Sequence, residues 1–186
     1  MPFENVKIID PYVESGRLKA VKLITATIKD VEDVEAKLNV SFPQGYKEYV
    51  THFGLGQYCN YITVEMPNEI LSGYKEYQNL LEEHYSWEIG TKIITKERVF
   101  ESIKIAYTED NDVIIFHPSN PRELIVLPNI DDMLYICGTN LYEAIDWLCV
   151  SRQSDTGSVG ETHEQRYFVP WNPLVVKEGW LVPKNI

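Results

Sequence analysis

The sequence predicts an α+β fold, an antiparallel β-meander packed against an N-terminal helical pair and a C-terminal helix. Three stretches predict it. Residues 28–56 carry two helical apolar stripes in succession. Residues 103–137 hold four short apolar runs rich in Val, Ile and Leu, separated by polar turns. Residues 141–150 return to helical spacing.

In the helical pair, Asp30 is positioned to cap the first helix, and Asp33 adds charge to its first turn. Val31, Val34 and Leu38 then share one face. Pro43 suits the first position of a second helix, since it loses no hydrogen bond there. Tyr46, Tyr49, Val50 and Phe53 form its stripe, Gly54 stands where a left-handed C-cap is wanted, and Gly56 gives a flexible exit.

Before this pair, Val6–Ile9 and Ala20–Ile28 alternate like strands around Pro11 and Gly16, which fits a hairpin or an edge strand. After it, Tyr58 to Glu65 favours one strand that Pro67 ends. Residues 68–85 place Ile70, Leu71, Tyr74, Tyr77, Leu80 and Leu81 on one side of a helix interrupted by Gly73. A helical turn over 95–102 carries Val99 and Phe100. Ile103–Tyr107 and Val113–Phe116 flank the polar turn Glu109-Asp110-Asn111-Asp112. Leu124–Leu127 and Met133–Cys137 complete the meander. Thr139 or Asn140 can cap the last helix, which aligns Leu141, Ala144, Ile145 and Leu148. The expected division is a 1–27 extension, a 28–150 domain, and a 151–186 loop and aromatic tail (Tyr167 to Pro173) packing on that domain.

Charge narrows the function classes. The net charge of −11 argues against a nucleic acid or an anionic membrane as partner. The acidity is concentrated, with −5 over residues 31–100 and −7 over residues 101–150. Glu109, Asp110, Asp112, Asp131 and Asp132 are the candidate partner-binding residues, because carboxylates sharing a rim with tyrosines would steer a basic protein into contact. Solvated turn chemistry with no partner explains the same residues.

Catalytic and metal motifs are absent. His52, His84, His117 and His163 form no HExxH or HxxxH pair, and His52 is expected to be a packed histidine beside the second helix stripe. No GxSxG elbow occurs. Gly54-Leu55-Gly56 follows a helix, whereas a dinucleotide loop opens one. The turn at 109–112 lacks the glycine and later glutamate of a calcium loop. No catalytic residue, metal site or cofactor is therefore assigned. Cys59, Cys137 and Cys149 include no CxxC and read as reduced core thiols of a cytosolic protein. The N-terminal residues lack a signal-peptide pattern, and no window reaches the apolar length of a membrane span.

The residues of the helical pair also carry a likeness. Val34-Glu35, Leu38, Val40, Phe42-Pro43, Tyr46-Lys47, Tyr49-Val50 and Phe53-Gly54 resemble the signature of the SUKH superfamily, which includes cell-wall-assembly regulators of the Smi/Knr type and bacterial immunity proteins. Phe42 replaces the commoner leucine. Ile105-Ala106, Asp110-Asn111-Asp112 and His117-Pro118-Ser119 are similar to the family's meander, and Leu141-Tyr142-Glu143-Ala144-Ile145 to its closing helix. The likeness spans about residues 28–150. It implies a non-enzymatic cytoplasmic immunity protein that neutralises a cognate toxin, often a basic nuclease domain. Its regulatory branch implies a scaffold instead. A hydrolase or small-ligand enzyme with a site assembled from scattered residues is the alternative outside the family. An adjacent toxin gene would favour the first reading.

Overall fold

The computed structural model describes residues 3, 5–18, 20–84, 92–129, 133–151 and 166–171. These residues build an α+β fold on one eight-stranded sheet. The strands are β1 (Lys7–Ile8), β2 (Gly56–Tyr58), β3 (Ile62–Val64), β4 (Ile103–Thr108), β5 (Val113–His117), β6 (Asn120–Leu127), β7 (Tyr135–Gly138) and β8 (Tyr167–Pro170). Their order is β1-β8-β2-β3-β4-β5-β6-β7, and every pairing is antiparallel except β1 with β8.

The meander forms as its turns demand. Asn111 adopts the left-handed conformation (φ 63°) in the β4–β5 turn, which an Asn tolerates. Ile105 bulges out of the β4–β5 ladder, and its carbonyl instead accepts the Glu65 N–H at 2.8 Å. The central strands are apolar at consecutive positions because both faces are covered. Ile114, Phe116, Leu124 and Val126 face a core shared with Val31, Tyr46, Val50, Leu141 and Ile145. Val113, Ile115, Ile125 and Leu127 face a second core with Tyr77, Leu81 and Val99.

The helices are α1 (Pro11–Glu14), α2 (Ile28–Leu38), α3 (Tyr46–His52), α4 (Pro67–His84), α5 (Lys96–Phe100) and α6 (Leu141–Asp146), the last running into a π-helical turn, Trp147–Ser151. Thr27, not Asp30, is the N-cap of α2. Asp30 stands at N3 and completes a capping box by accepting from the Thr27 N–H at 2.8 Å. Helix α3 starts at Tyr46, three residues beyond Pro43, whose carbonyl accepts the Tyr46 N–H at 3.1 Å. Pro43 therefore builds the preceding turn. Helix α4 begins at Pro67 and passes through Gly73 without a break, with Ile70 in the first core and Tyr77 and Leu81 in the second. His52 is exposed, its ring edge-on to Phe53 at 4.6 Å, and is not the packed histidine expected.

The chain around the pair differs more. Ala20–Ile28 is not a strand. The Ile24 carbonyl accepts the Leu55 N–H at 2.8 Å, and the Ala26 N–H donates to Val50 at 3.0 Å, so the segment is strapped along the end of α3. Gly54 (φ 71°) permits this: a Cβ there would stand 2.0 Å from the Ile24 oxygen. Gly56 is not a flexible exit. It lies in β2 against β8, where a Cβ would meet the Val169 oxygen at 2.4 Å. The single strand expected over 58–65 is the hairpin β2–β3, turned by Cys59 and Asn60, both left-handed (φ 52° and 51°).

The aromatic segment supplies β8, which inserts between β1 and β2 and drives Phe168 against Tyr49 and Phe53. Asn172 and Pro173 lie outside the described residues.

Candidate partner-binding site

The β4–β5 turn puts its acids in two environments. Glu109 and Asp110 are exposed at the tip. Gln57 donates its amide to Glu109, and the Tyr61 hydroxyl donates to Asp110 at 3.0 Å. These bonds reach across from the β2–β3 hairpin, because β3 is the neighbour of β4 in the sheet. Burial, and then the bond to Asp110, push the Tyr61 phenol up to about 12. It therefore stays protonated and keeps donating through the physiological range.

Asp112 is different. It is 2% exposed, its N–H donates to the Thr108 hydroxyl at 3.1 Å, and its carboxylate accepts the Asn129 N–H at 3.0 Å. It ties the turn to the segment leaving β6 and does not lie on the exposed rim. Asp131 and Asp132 lie outside the described residues. Two of the five sequence-selected carboxylates thus sit together on an accessible tip.

Two surface features escaped the sequence reading. One is an open pocket of about 460 Å³, lined by Phe42, Gln44, Pro121, Arg122 and Thr139. Phe42 is stacked on Tyr46 at 4.3 Å and walls the pocket. Arg122 is exposed at it. Residues 101–150 contain only two cations, and Lys104 is spent on Glu65, so Arg122 is the isolated positive charge of this acidic stretch. The lone Arg in an acidic segment was the available signal. The other feature is the β7 edge, where Met133 and Ile136 are 52% and 50% exposed. Ile136 sits at an edge position whose direction depends on register, and the sequence alone does not show which strand ends the sheet.

Among the described residues no cluster of three or more His, Cys, Asp and Glu could hold a metal ion, and no helix is long and apolar enough to cross a membrane.

A family model described as the SMI1 / KNR4 family (SUKH-1) matches residues 25–162. No curated protein matches the chain.

Proposed function

The chain belongs to the SMI1 / KNR4 family (SUKH-1), and on that basis we propose that it is a non-catalytic, cytoplasmic immunity protein that binds and neutralises a cognate bacterial toxin, a basic nuclease domain. Family membership fits a non-catalytic immunity or regulatory role. The observation that favours a basic toxin is the charge: −11 overall, densest over the meander, with Glu109 and Asp110 exposed on the β4–β5 tip. A cationic nuclease is attracted to such a surface, and a protein covering its nucleic-acid groove replaces phosphates with carboxylates.

The mechanism is occlusion. Tyr61 and Gln57 hold the two carboxylates in place before the partner arrives, which lowers the ordering cost of association. The apolar surface at Phe42 and Pro121 lies at the opposite end of β5, by the β5–β6 turn, and is separate from the charged tip.

Rescue tests the proposal. The toxin domain encoded beside this chain is expressed with and without it. Survival with this chain, and a complex isolated at low salt, are the expected results. Growth arrest in both cases with no complex overturns the reading and turns attention to the regulatory branch of the family.

A further inference from the structure

Four polar side chains meet where α5 packs beside the β5–β6 turn, at the end of β5 away from the acidic tip. Helix α5 supplies Arg98 and Glu101, which are three residues apart and so share one face. Val99 between them is fully buried in the second core and fixes the helix against the sheet. Strand β5 ends on His117, and the turn that follows carries Ser119. The imidazole bridges the two elements. Its Nε2 stands 3.0 Å from Glu101 Oε2, and its Nδ1 stands 2.8 Å from Ser119 Oγ. Arg98 Nη2 donates to the same Oγ at 3.2 Å. The His117 side chain is only 12% exposed, whereas Ser119 is open to solvent.

The backbone fixes where the protons are. The Ser119 N–H donates to His117 Nδ1 at 3.1 Å, and a donor needs a lone pair, so Nδ1 is the bare nitrogen. Nε2 then carries the ring hydrogen and donates it to Glu101. The Ser119 hydroxyl must in turn donate to Nδ1, which leaves its oxygen to accept from Arg98. A base draws on the hydroxyl proton while a cation faces the oxygen, and both favour the alkoxide. Other exposed serines show the contrast. Ser15 and Ser72 donate to the carbonyls of Tyr12 and Glu69, which are too weakly basic to take a proton. A nucleophile bonded to a base, with the base oriented by a third group, is the constellation that activates a serine.

We propose that Ser119 is an activated nucleophile that accepts an acyl group from small activated esters, with His117 as its base and Glu101 positioning the ring. Ser119 Oγ adds to the ester carbonyl carbon as its proton passes to His117 Nδ1. The carbonyl oxygen takes the electron pair, and Arg98, bonded to Oγ, offsets the negative charge that forms beside it. Protonation of Nδ1 also releases the Ser119 N–H as a second donor at the reacting centre. The bond from carbon to the leaving oxygen then breaks, the leaving group takes that electron pair, and the proton on Nδ1 passes to it or to water. Nothing is oxidised or reduced. The product is one acyl-serine per chain, a stoichiometric modification and not a turnover. It is independent of toxin binding, since Glu109 and Asp110 stand at the other end of β5.

The full chain mixed with p-nitrophenyl acetate tests this. A burst of nitrophenolate is expected, and peptide mapping should place the acetyl group on Ser119 ahead of Ser15 and Ser72. Ser119→Ala should lose the burst. His117→Ala should slow acetylation of Ser119 about 100-fold. Added imidazole should restore part of that rate, which it could not do if the ring were only structural. Glu101→Gln still offers Nε2 an acceptor and should keep more of the rate than Glu101→Ala. Acetyl groups on lysines or tyrosines with Ser119 unmodified would overturn the proposal, as would a folded His117→Ala chain that labels Ser119 at the native rate. The mapping of the native chain decides the matter even if a variant fails to fold.

Discussion

The carboxylate of Asp112 accepts the backbone N–H of Asn129 at 3.0 Å while its side chain lies almost wholly out of solvent. This bond makes Asp112 a structural residue two positions from the exposed Asp110. Asp112→Ala should therefore cost about 2 kcal/mol in urea unfolding, the range of a hydrogen bond to a charged group. Asp110→Asn should stay within about 0.5 kcal/mol, as surface changes do. Equal effects would show that the turn does not separate the two acids.

Two glycines should respond to alanine with opposite signs. Gly54→Ala places a Cβ in a left-handed residue and against the Ile24 oxygen, a backbone atom that cannot swing aside. A loss of roughly 3 kcal/mol is expected. Gly73 meets nothing within 4 Å and lies inside α4, so Gly73→Ala should stabilise by about 0.5–1 kcal/mol. Thermal or urea denaturation of both variants checks the pair.

These contrasts mark what was legible. The stripes Val31/Val34 and Tyr46/Tyr49/Val50 could be read because helical burial follows local spacing. The meander was legible for the same reason, its strands being joined to sequence neighbours by short turns. The cap of α2 slipped because Thr27 and Asp30 are both good cap residues and act together. Asp112 reads from the sequence as a partner-binding rim acid or a solvated turn residue, since nothing local announces that the segment after β6 bonds to its carboxylate. The places of β1 and β8 were hidden for a deeper reason: Lys7 pairs with Tyr167 and Tyr58 with Phe168, and such pairings leave no periodic trace.

The capping box should give stability a dependence on acid. The hydroxyl of Thr27 at 2.7 Å and its N–H at 2.8 Å hold the Asp30 carboxyl below its ordinary value of 3.8. A carboxyl depressed in the folded state contributes stability that is present above 3.8 and is lost as pH falls through the lower folded value. The advantage of the native chain over Asp30→Ala should thus shrink steadily between about pH 5 and pH 2. Thr27→Ala should cost about 1 kcal/mol at neutral pH. An advantage that does not change with pH would remove the carboxylate from the cap.

Glu65 should behave oppositely. Burial raises its carboxyl above 4.5, against the attraction of Lys104. Its favourable contribution is complete below 4.5 and is lost as pH rises through the higher folded value. Urea midpoints of the native chain relative to Glu65→Gln should therefore decline across that window, and a rise would reverse the assignment.

If the tip guides a basic toxin, replacing Glu109 with Gln and Asp110 with Asn should slow association about 3–10-fold at low salt. It should also flatten the salt dependence and leave dissociation nearly unchanged. Stopped-flow mixing at several ionic strengths measures all three quantities.

The insertion of β8 between β1 and β2 also sets an order of assembly. Residues 56–127 contain β2 to β6, whose pairings close over short loops or one helical connection, and these can form early. Gly56 and Tyr58 then present an unpaired edge, with Phe53 uncovered beside it, until a strand about 110 positions later arrives. During synthesis at about 5–20 residues per second, that edge stands open for several seconds. A nascent chain of this protein is thus most vulnerable to edge-to-edge association just before its last described strand is made.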